Sequence, residues 1–164
     1  MDSVDLTTQA KEFAIVAHGN QKYGDGSPYS KHLQAVVDVL IEFGHTDAKF
    51  IASAWLHDVI EDTKYSYQDI KKLFGVEIAE IVYSVTDELG RNRIERHNKT
   101  YPKTKLSLDG AIVKLADRIA NTRASIADSD DKLQMYRREY SSFKEILYSQ
   151  TNDIMWQELD RLNK

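Results

Sequence analysis

The side chains in this sequence that can bind a metal or move a proton gather at four places: His32, the dipeptide His57-Asp58, the pair Glu61-Asp62, and Asp117. The chain has no cysteine, so a metal would be held by imidazole, carboxylate and water. With five histidines and sixteen aspartates, a shuffled chain would carry about 0.5 His-Asp dipeptides, and the pair alone proves little. Its setting says more. It follows the apolar or small run Ala52-Ser53-Ala54-Trp55-Leu56, so two polar side chains end a helix whose earlier turns are buried. Each polar group left unpaired there would cost about 1–3 kcal/mol. The plainer alternative is a structural histidine hydrogen-bonded near a helix end.

Asp117 lies inside Ile112-Val113-Lys114-Leu115-Ala116-Asp117-Arg118-Ile119-Ala120, where an aspartate has poor helix propensity and is seldom buried without a cation. Arg118 is the local candidate for that cation. Adjacent residues on a helix point in different directions, however, which leaves a metal or a distant arginine. Two imidazoles and two carboxylates suit Mn²⁺, Fe²⁺ or Zn²⁺, with waters completing the sphere. Spacing alone does not bring the four together.

Glu61 and Asp62 follow Asp58 by three and four residues. Such a pair is often just a solvated loop. Beside a metal it can orient a bound water, or take its proton, for attack on phosphorus. Countercharge for a di- or triphosphate is available from Lys22, Arg118 and Arg123, and from 91–105, where Arg91, Arg93, Arg96, Lys99, Lys103 and Lys105 stand against one acid, Glu95. Asn121 falls one helical turn after Asp117 and shares its face.

The elements that must position these groups read as helices throughout, because apolar residues recur at spacings of three and four. A first helix at about 6–18 ends at Gly19, and a second at 31–43, after the turn cluster Gly24-Asp25-Gly26-Ser27-Pro28, ends at Gly44. Asp47 is placed to cap a third, with His57 and Asp58 at its C-terminal end. Ser66 and Asp69 form a capping box for a short helix ended by Gly75, and Ile78, Ile81, Val82 and Val85 mark the next. Pro102 argues against a continuous helix over 91–105, which reads as a loop with a short helical piece. Ser107 caps the helix that carries Asp117, and two amphipathic helices close the chain, the first around Leu133, Tyr136, Tyr140, Phe143 and Leu147, the second over 154–162. No alternating run long enough for a strand is present. The expected fold is all-α, a compact helical bundle with residues 1–164 as a single domain.

No stretch approaches the roughly 18 apolar residues that span a bilayer, and the N-terminus has no basic patch followed by an apolar run, so no membrane contact and a cytoplasmic location are expected. A net charge of −4 argues against bulk nucleic-acid binding and leaves room for a small phosphorylated ligand.

Several ordered motifs carry a family resemblance. His18-Gly19-Asn20-Gln21 through Gly26-Ser27-Pro28-Tyr29-Ser30-Lys31-His32, then Trp55-Leu56-His57-Asp58-Val59-Ile60-Glu61-Asp62-Thr63, then Phe74-Gly75-Val76-Glu77-Ile78-Ala79 with Val85-Thr86-Asp87, and Lys114-Leu115-Ala116-Asp117-Arg118-Ile119-Ala120-Asn121 stand in this order. The sequence resembles the HD superfamily and, within it, the hydrolase domains of RelA/SpoT-type alarmone enzymes and the small stand-alone alarmone hydrolases. The resemblance implies an HD-type helical domain with one divalent metal, Mn²⁺ foremost, held by His32, His57, Asp58 and Asp117. It implies that Glu61 and Asp62 are catalytic and that Asn121 faces a nucleotide, with Lys22, Tyr23, Arg96 and Arg118 as further substrate contacts. The activity implied is removal of the 3′-pyrophosphate from guanosine tetra- or pentaphosphate, without a synthetase region. Family members usually have an arginine two residues after the opening glutamine, against the guanine; this chain has Tyr23, which can stack but brings no charge. A phosphatase or pyrophosphatase acting on another nucleotide is therefore the second reading, and a non-catalytic nucleotide-sensing module the third.

Overall fold

The computed structural model describes residues 2–164, apart from the side chains of residues 3 and 4. In chain order the helices are α1 (Ser3–His18), α2 (Tyr29–Glu42), α3 (Ala48–Leu56), α4 (Val59–Asp62), α5 (Tyr67–Phe74), α6 (Val76–Val85), α7 (Arg93–Lys105), α8 (Leu108–Asp128), α9 (Lys132–Leu147) and α10 (Asp153–Leu162). Among the described residues there is no strand, and the one β-bridge, Lys22 with Pro28, closes the loop before α2. The fold is all-α, as the apolar spacing predicts.

Helix ends follow local chemistry at most places. Asp2 caps α1 by accepting from the Asp5 N–H at 2.9 Å, so the helix starts earlier than its apolar face indicates. The capping box of Ser66 and Asp69 forms, and the Ser107 hydroxyl accepts from the Gly110 N–H at 2.9 Å to start α8. Asp47 occupies the cap position of α3, but its side chain makes no capping bond. Helix α2 begins at Tyr29, directly after Pro28, which puts His32 in its first turn.

The segment 91–105 departs from the expectation of a loop. It forms α7, thirteen residues with Pro102 inside. The carbonyl deprived of its partner by Pro102 is that of Asn98, and both residues face solvent, where water can satisfy it. On the inner side, Thr104 donates to the Ser84 carbonyl at 2.6 Å, and Thr100 accepts from the Glu88 N–H at 2.9 Å. Tertiary bonds outweigh the local penalty.

Helices α3 and α8 lie at the centre. Helix α1 packs on α3, α2 on both α3 and α8, and α6, α7, α9 and α10 all pack on α8. Leu33, Leu40, Leu56, Leu115 and Ile119 are wholly buried between them, and Phe143, Trp156 and Leu159 extend the same core toward the C-terminus. Each such side chain contributes about 1.5–3 kcal/mol by leaving water. The junction of α3 with α4 and the middle of α8 are thus clamped from several sides, and these are the places that carry His57, Asp58 and Asp117.

Helices α6 and α8 approach closely at Gly110, where an added Cβ would stand 1.9 Å from the Ser84 hydroxyl and 2.9 Å from that of Ser107. Gly110→Ala is expected to lower stability by about 1–3 kcal/mol in chemical denaturation. Adding Ser84→Ala to it should recover part of the loss, and a neutral single variant would contradict this packing.

Candidate functional site

His57 ends α3, and its ring is oriented by a backbone bond: Nδ1–H donates to the Ala54 carbonyl at 2.7 Å. The other nitrogen, Nε2, therefore faces away from the backbone, toward the two carboxylates. It is buried and makes no hydrogen bond, although Asp58 Oδ2 is 3.0 Å away and Asp117 Oδ1 3.3 Å away. His32, one helix earlier, brings Nε2 to 3.0 Å from the same Asp117 oxygen and 3.9 Å from Asp58 Oδ2. Donor atoms that converge this closely without hydrogen-bonding geometry are what a divalent cation requires, and the imidazole-carboxylate set fits one.

Neighbouring groups fix the cluster. The Tyr29 hydroxyl donates to Asp58 Oδ2 at 2.5 Å, and burial together with the Asp58 charge raises its pKa, so it remains a donor. Asn121 donates to Asp117 Oδ1 at 3.1 Å and accepts from the Tyr23 hydroxyl at 2.6 Å. The Tyr23 ring is stacked on His32, with centroids 5.1 Å apart, and the Lys132 ammonium lies 5.6 Å from its centroid. Lys114, one turn before Asp117, places Nζ 3.4 Å from Asp117 Oδ2.

These contacts set the protonation states. Burial alone would raise Asp117, but Lys114 and the two imidazoles outweigh it and hold the carboxyl well below the usual range. Burial likewise disfavours charge on His57, yet Asp58 and Asp117 raise its pKa well above the ordinary value. Glu61 and Asp62 in α4 behave oppositely. Enclosure by the cleft and the nearby Asp58 charge push Glu61 up to about 7, and the same two causes raise Asp62. Glu61 accepts from the Asp87 N–H at 2.8 Å, and Asp62 from the Gln21 amide at 3.2 Å. Asp58, Glu61 and Asp62 present carboxylate oxygens within 4.8 Å of one another.

The cluster opens into a polar cleft of about 150 Å³. Of the residues named from sequence, His57, Asp58, Glu61, Asp117, Arg118 and Asn121 line it. Lys22 is exposed and Arg96 half-buried, and neither is among the lining residues. Arg118 does not pair with Asp117: it donates to the Tyr101 hydroxyl at 2.9 Å and lies 3.6 Å from Glu139, with Nη1 lacking a hydrogen-bond partner. Arg123 is engaged by Glu42 and Glu158. Most of the basic stretch serves the fold, since Lys99 holds the Leu89 carbonyl, Lys103 the Thr86 carbonyl and Lys105 the Tyr148 carbonyl. Arg93 is the cation of that stretch that lines the cleft, bound by Glu139.

Sequence reasoning passed over Lys114, Asp87, His97 and Tyr136, which also line the cleft. Lys114 was open to inference, three residues before Asp117 on one helix face. His97 was not, because only the packing of α7 beside α8 and α9 brings it inward.

Several known proteins are similar to this chain. MESH1 of Danio rerio, a guanosine-3′,5′-bis(diphosphate) 3′-pyrophosphohydrolase, is 34% identical over 125 residues, 74% of this chain and 69% of that protein. The bifunctional (p)ppGpp synthase/hydrolase SpoT of Escherichia coli (strain K12) is 36% identical over 145 residues, 84% of this chain and 20% of SpoT. The GTP pyrophosphokinase rsh of Brucella ovis is 36% identical over 134 residues, and the chain spans only 18% of its length. A solved structure of a metazoan ortholog of SpoT that hydrolyzes ppGpp superposes with a TM-score of 0.84 at 26% identity, over 96% of this chain and 93% of that one. The HD domain family matches residues 10–143, a span that holds both histidines, both aspartates and the Glu61-Asp62 pair of the cluster. This chain belongs to the HD domain family.

Proposed function

We propose that this protein is a metal-dependent phosphohydrolase that removes the 3′-pyrophosphate from guanosine tetra- or pentaphosphate, with one Mn²⁺ held by His32, His57, Asp58 and Asp117. The observation that carries the reading is the buried Nε2 of His57, which makes no hydrogen bond although His32, Asp58 and Asp117 converge on it, with Glu61 and Asp62 within one turn of Asp58. The relatives named for this reaction support the substrate class. In this reading residues 1–164 act as one domain, in keeping with a core that includes Ala10 and Leu162, and the protein works in the cytoplasm. No helix among the described residues is long and apolar enough to cross a membrane.

A divalent cation at this cluster would lower the pKa of a coordinated water and offset charge on the phosphoryl group. Glu61, poised near neutrality, and Asp62 can orient the water and accept its proton. In this reading a water oxygen would bond to the phosphorus joined to the ribose 3′ oxygen while the bond from that phosphorus to the 3′ oxygen breaks, and the proton taken up by the Glu61-Asp62 pair would be returned to the 3′ oxygen. Pyrophosphate leaves, and GDP or GTP retains a 3′ hydroxyl. Arg118 Nη1, Lys114 and Arg93 would supply countercharge in the cleft, and Asn121, bonded to Tyr23 and Asp117, would face the nucleotide.

A second reading, a phosphatase or pyrophosphatase acting on another nucleotide such as a nucleoside monophosphate or a phosphorylated nicotinamide cofactor, is favoured by Tyr23. Its ring is engaged with His32 and offers no positive charge to a base. A nucleotide panel scored for free phosphate against pyrophosphate separates the two.

With Mn²⁺, the purified protein should release pyrophosphate from the alarmone and leave simple monophosphates intact; inactivity across several divalent metals would overturn the substrate assignment. Metal holding and chemistry should fail separately. Asp58→Ala or Asp117→Ala should weaken Mn²⁺ binding in calorimetry and with it activity, whereas Glu61→Gln and Asp62→Asn should bind Mn²⁺ and lose turnover by roughly 10²-fold or more. Near-normal turnover in both amide variants would remove the catalytic role.

Metal binding should also be linked to protons. His57 is protonated without metal because its pKa is raised, so each metal bound at pH 7 displaces a proton, and Mn²⁺ affinity should rise with pH across the neutral range. Calorimetry in buffers of different ionisation enthalpy reads the proton release directly, and a pH-independent affinity would contradict it.

A further inference from the structure

The cleft holds a polar pair that the chemistry above leaves unused. Asp87 Oδ1 is buried without a hydrogen-bond partner, and Asp87 Oδ2 lies 4.0 Å from His97 Nε2, beyond hydrogen-bond reach. Neither residue is loose. The Asp87 backbone N–H is bonded to Glu61, and His97 is buried and stacked on Tyr101 with centroids 4.6 Å apart.

The proton on His97 is fixed by a chain of bonds. Arg118 can only donate, and its Nη2 gives a proton to the Tyr101 oxygen at 2.9 Å. Tyr101 is buried, and the acceptor within reach of its own proton is His97 Nδ1, at 3.0 Å. Nδ1 therefore accepts. Burial and the nearby Arg93 and Lys114 push His97 down to about 4, so the ring is neutral and its one proton is on Nε2. A fixed donor and a fixed acceptor thus stand side by side at the cleft, next to the carboxylate that would handle the water.

A hydroxyl fits such a pair, since it accepts from Nε2–H and donates to a carboxylate. A phosphate oxygen does not, because it would meet the Asp87 charge. We infer that Asp87 and His97 recognise the ribose hydroxyl on the carbon next to the one whose phosphoester is cleaved, with Tyr101 and Arg118 as positioning residues that hold the proton on His97 Nε2. The adjacency to Glu61 selects this hydroxyl, which neighbours the reacting phosphorus. The inference rests on the proposed reading of the substrate as a ribonucleotide phosphoester.

The test compares guanosine 3′-monophosphate with its 2′-deoxy counterpart, by calorimetry on the Mn²⁺-loaded full chain, for wild type, His97→Gln, His97→Leu and Tyr101→Phe. A site that hydrogen-bonds a hydroxyl rejects the analogue lacking it. Wild type should favour the ribonucleotide by about 10-fold or more, less than a fully enclosed site achieves. His97→Leu should bind both alike, His97→Gln should keep the preference through its amide N–H, and Tyr101→Phe should weaken it by freeing the tautomer. Equal binding by wild type would mean that a water alone occupies the pair, and would overturn the inference. So would failure of the ribonucleotide to bind wild type, or a preference that survives His97→Leu. Pyrophosphate release from the alarmone is measured in parallel: a ribose preference without turnover sinks the substrate reading alone, and turnover without preference sinks this inference alone.

Discussion

Two carboxylates from distant parts of the chain, Asp58 and Asp117, lie within 3.3 Å of one imidazole nitrogen in a largely water-free setting. Like charges held this close in low dielectric repel strongly unless cations stand among them. Much of the surrounding structure answers that constraint. Lys114 approaches Asp117 from one turn away, Tyr29 and Asn121 donate to the two carboxylates, and both histidines point ring nitrogens inward. A divalent cation answers the same electrostatic demand more completely, with two charges at one point.

The backbone makes the convergence rigid. His57 is aimed by the carbonyl of Ala54 within its own helix, so its orientation depends on α3 being intact to its last turn. Asp58 then falls where α3 breaks and α4 starts, with non-helical torsions that turn its side chain out of the helix sequence. Asp117 has no such break to help it. It depends on the burial of Leu115, Ala116 and Ile119 around it to hold α8 in register against α2.

The residues at the cluster were legible in the sequence because their surroundings are anomalous: carboxylates within apolar runs demand partners, and ordered motifs name them. The helices were legible from apolar spacing, and the caps at Ser66 and Ser107 from residue type. What escaped was decided by tertiary packing. The segment 91–105 is helical despite Pro102 because Asn98 faces water while Thr100 and Thr104 find partners on the other side. The choice of Arg93 over Arg96 as the cleft cation, and the entry of His97, depend on how α7 lies on α8 and α9. A one-dimensional pattern of six basic residues does not contain that information.

The internal use of those basic residues bears on how an anionic ligand finds the protein. Lys99, Lys103 and Lys105 are tied to main-chain carbonyls, and Arg91 and Arg93 to glutamates, on a molecule whose net charge is −4. Lys99 and Lys103 also pair with Glu95 and Glu88, and opposed charges this close largely cancel beyond about a Debye length, roughly 8 Å at physiological ionic strength. An anion approaching from solution thus meets little long-range attraction from this stretch. Encounter with an anion would then proceed at the pace of unsteered diffusion, leaving discrimination to contacts made within the cleft.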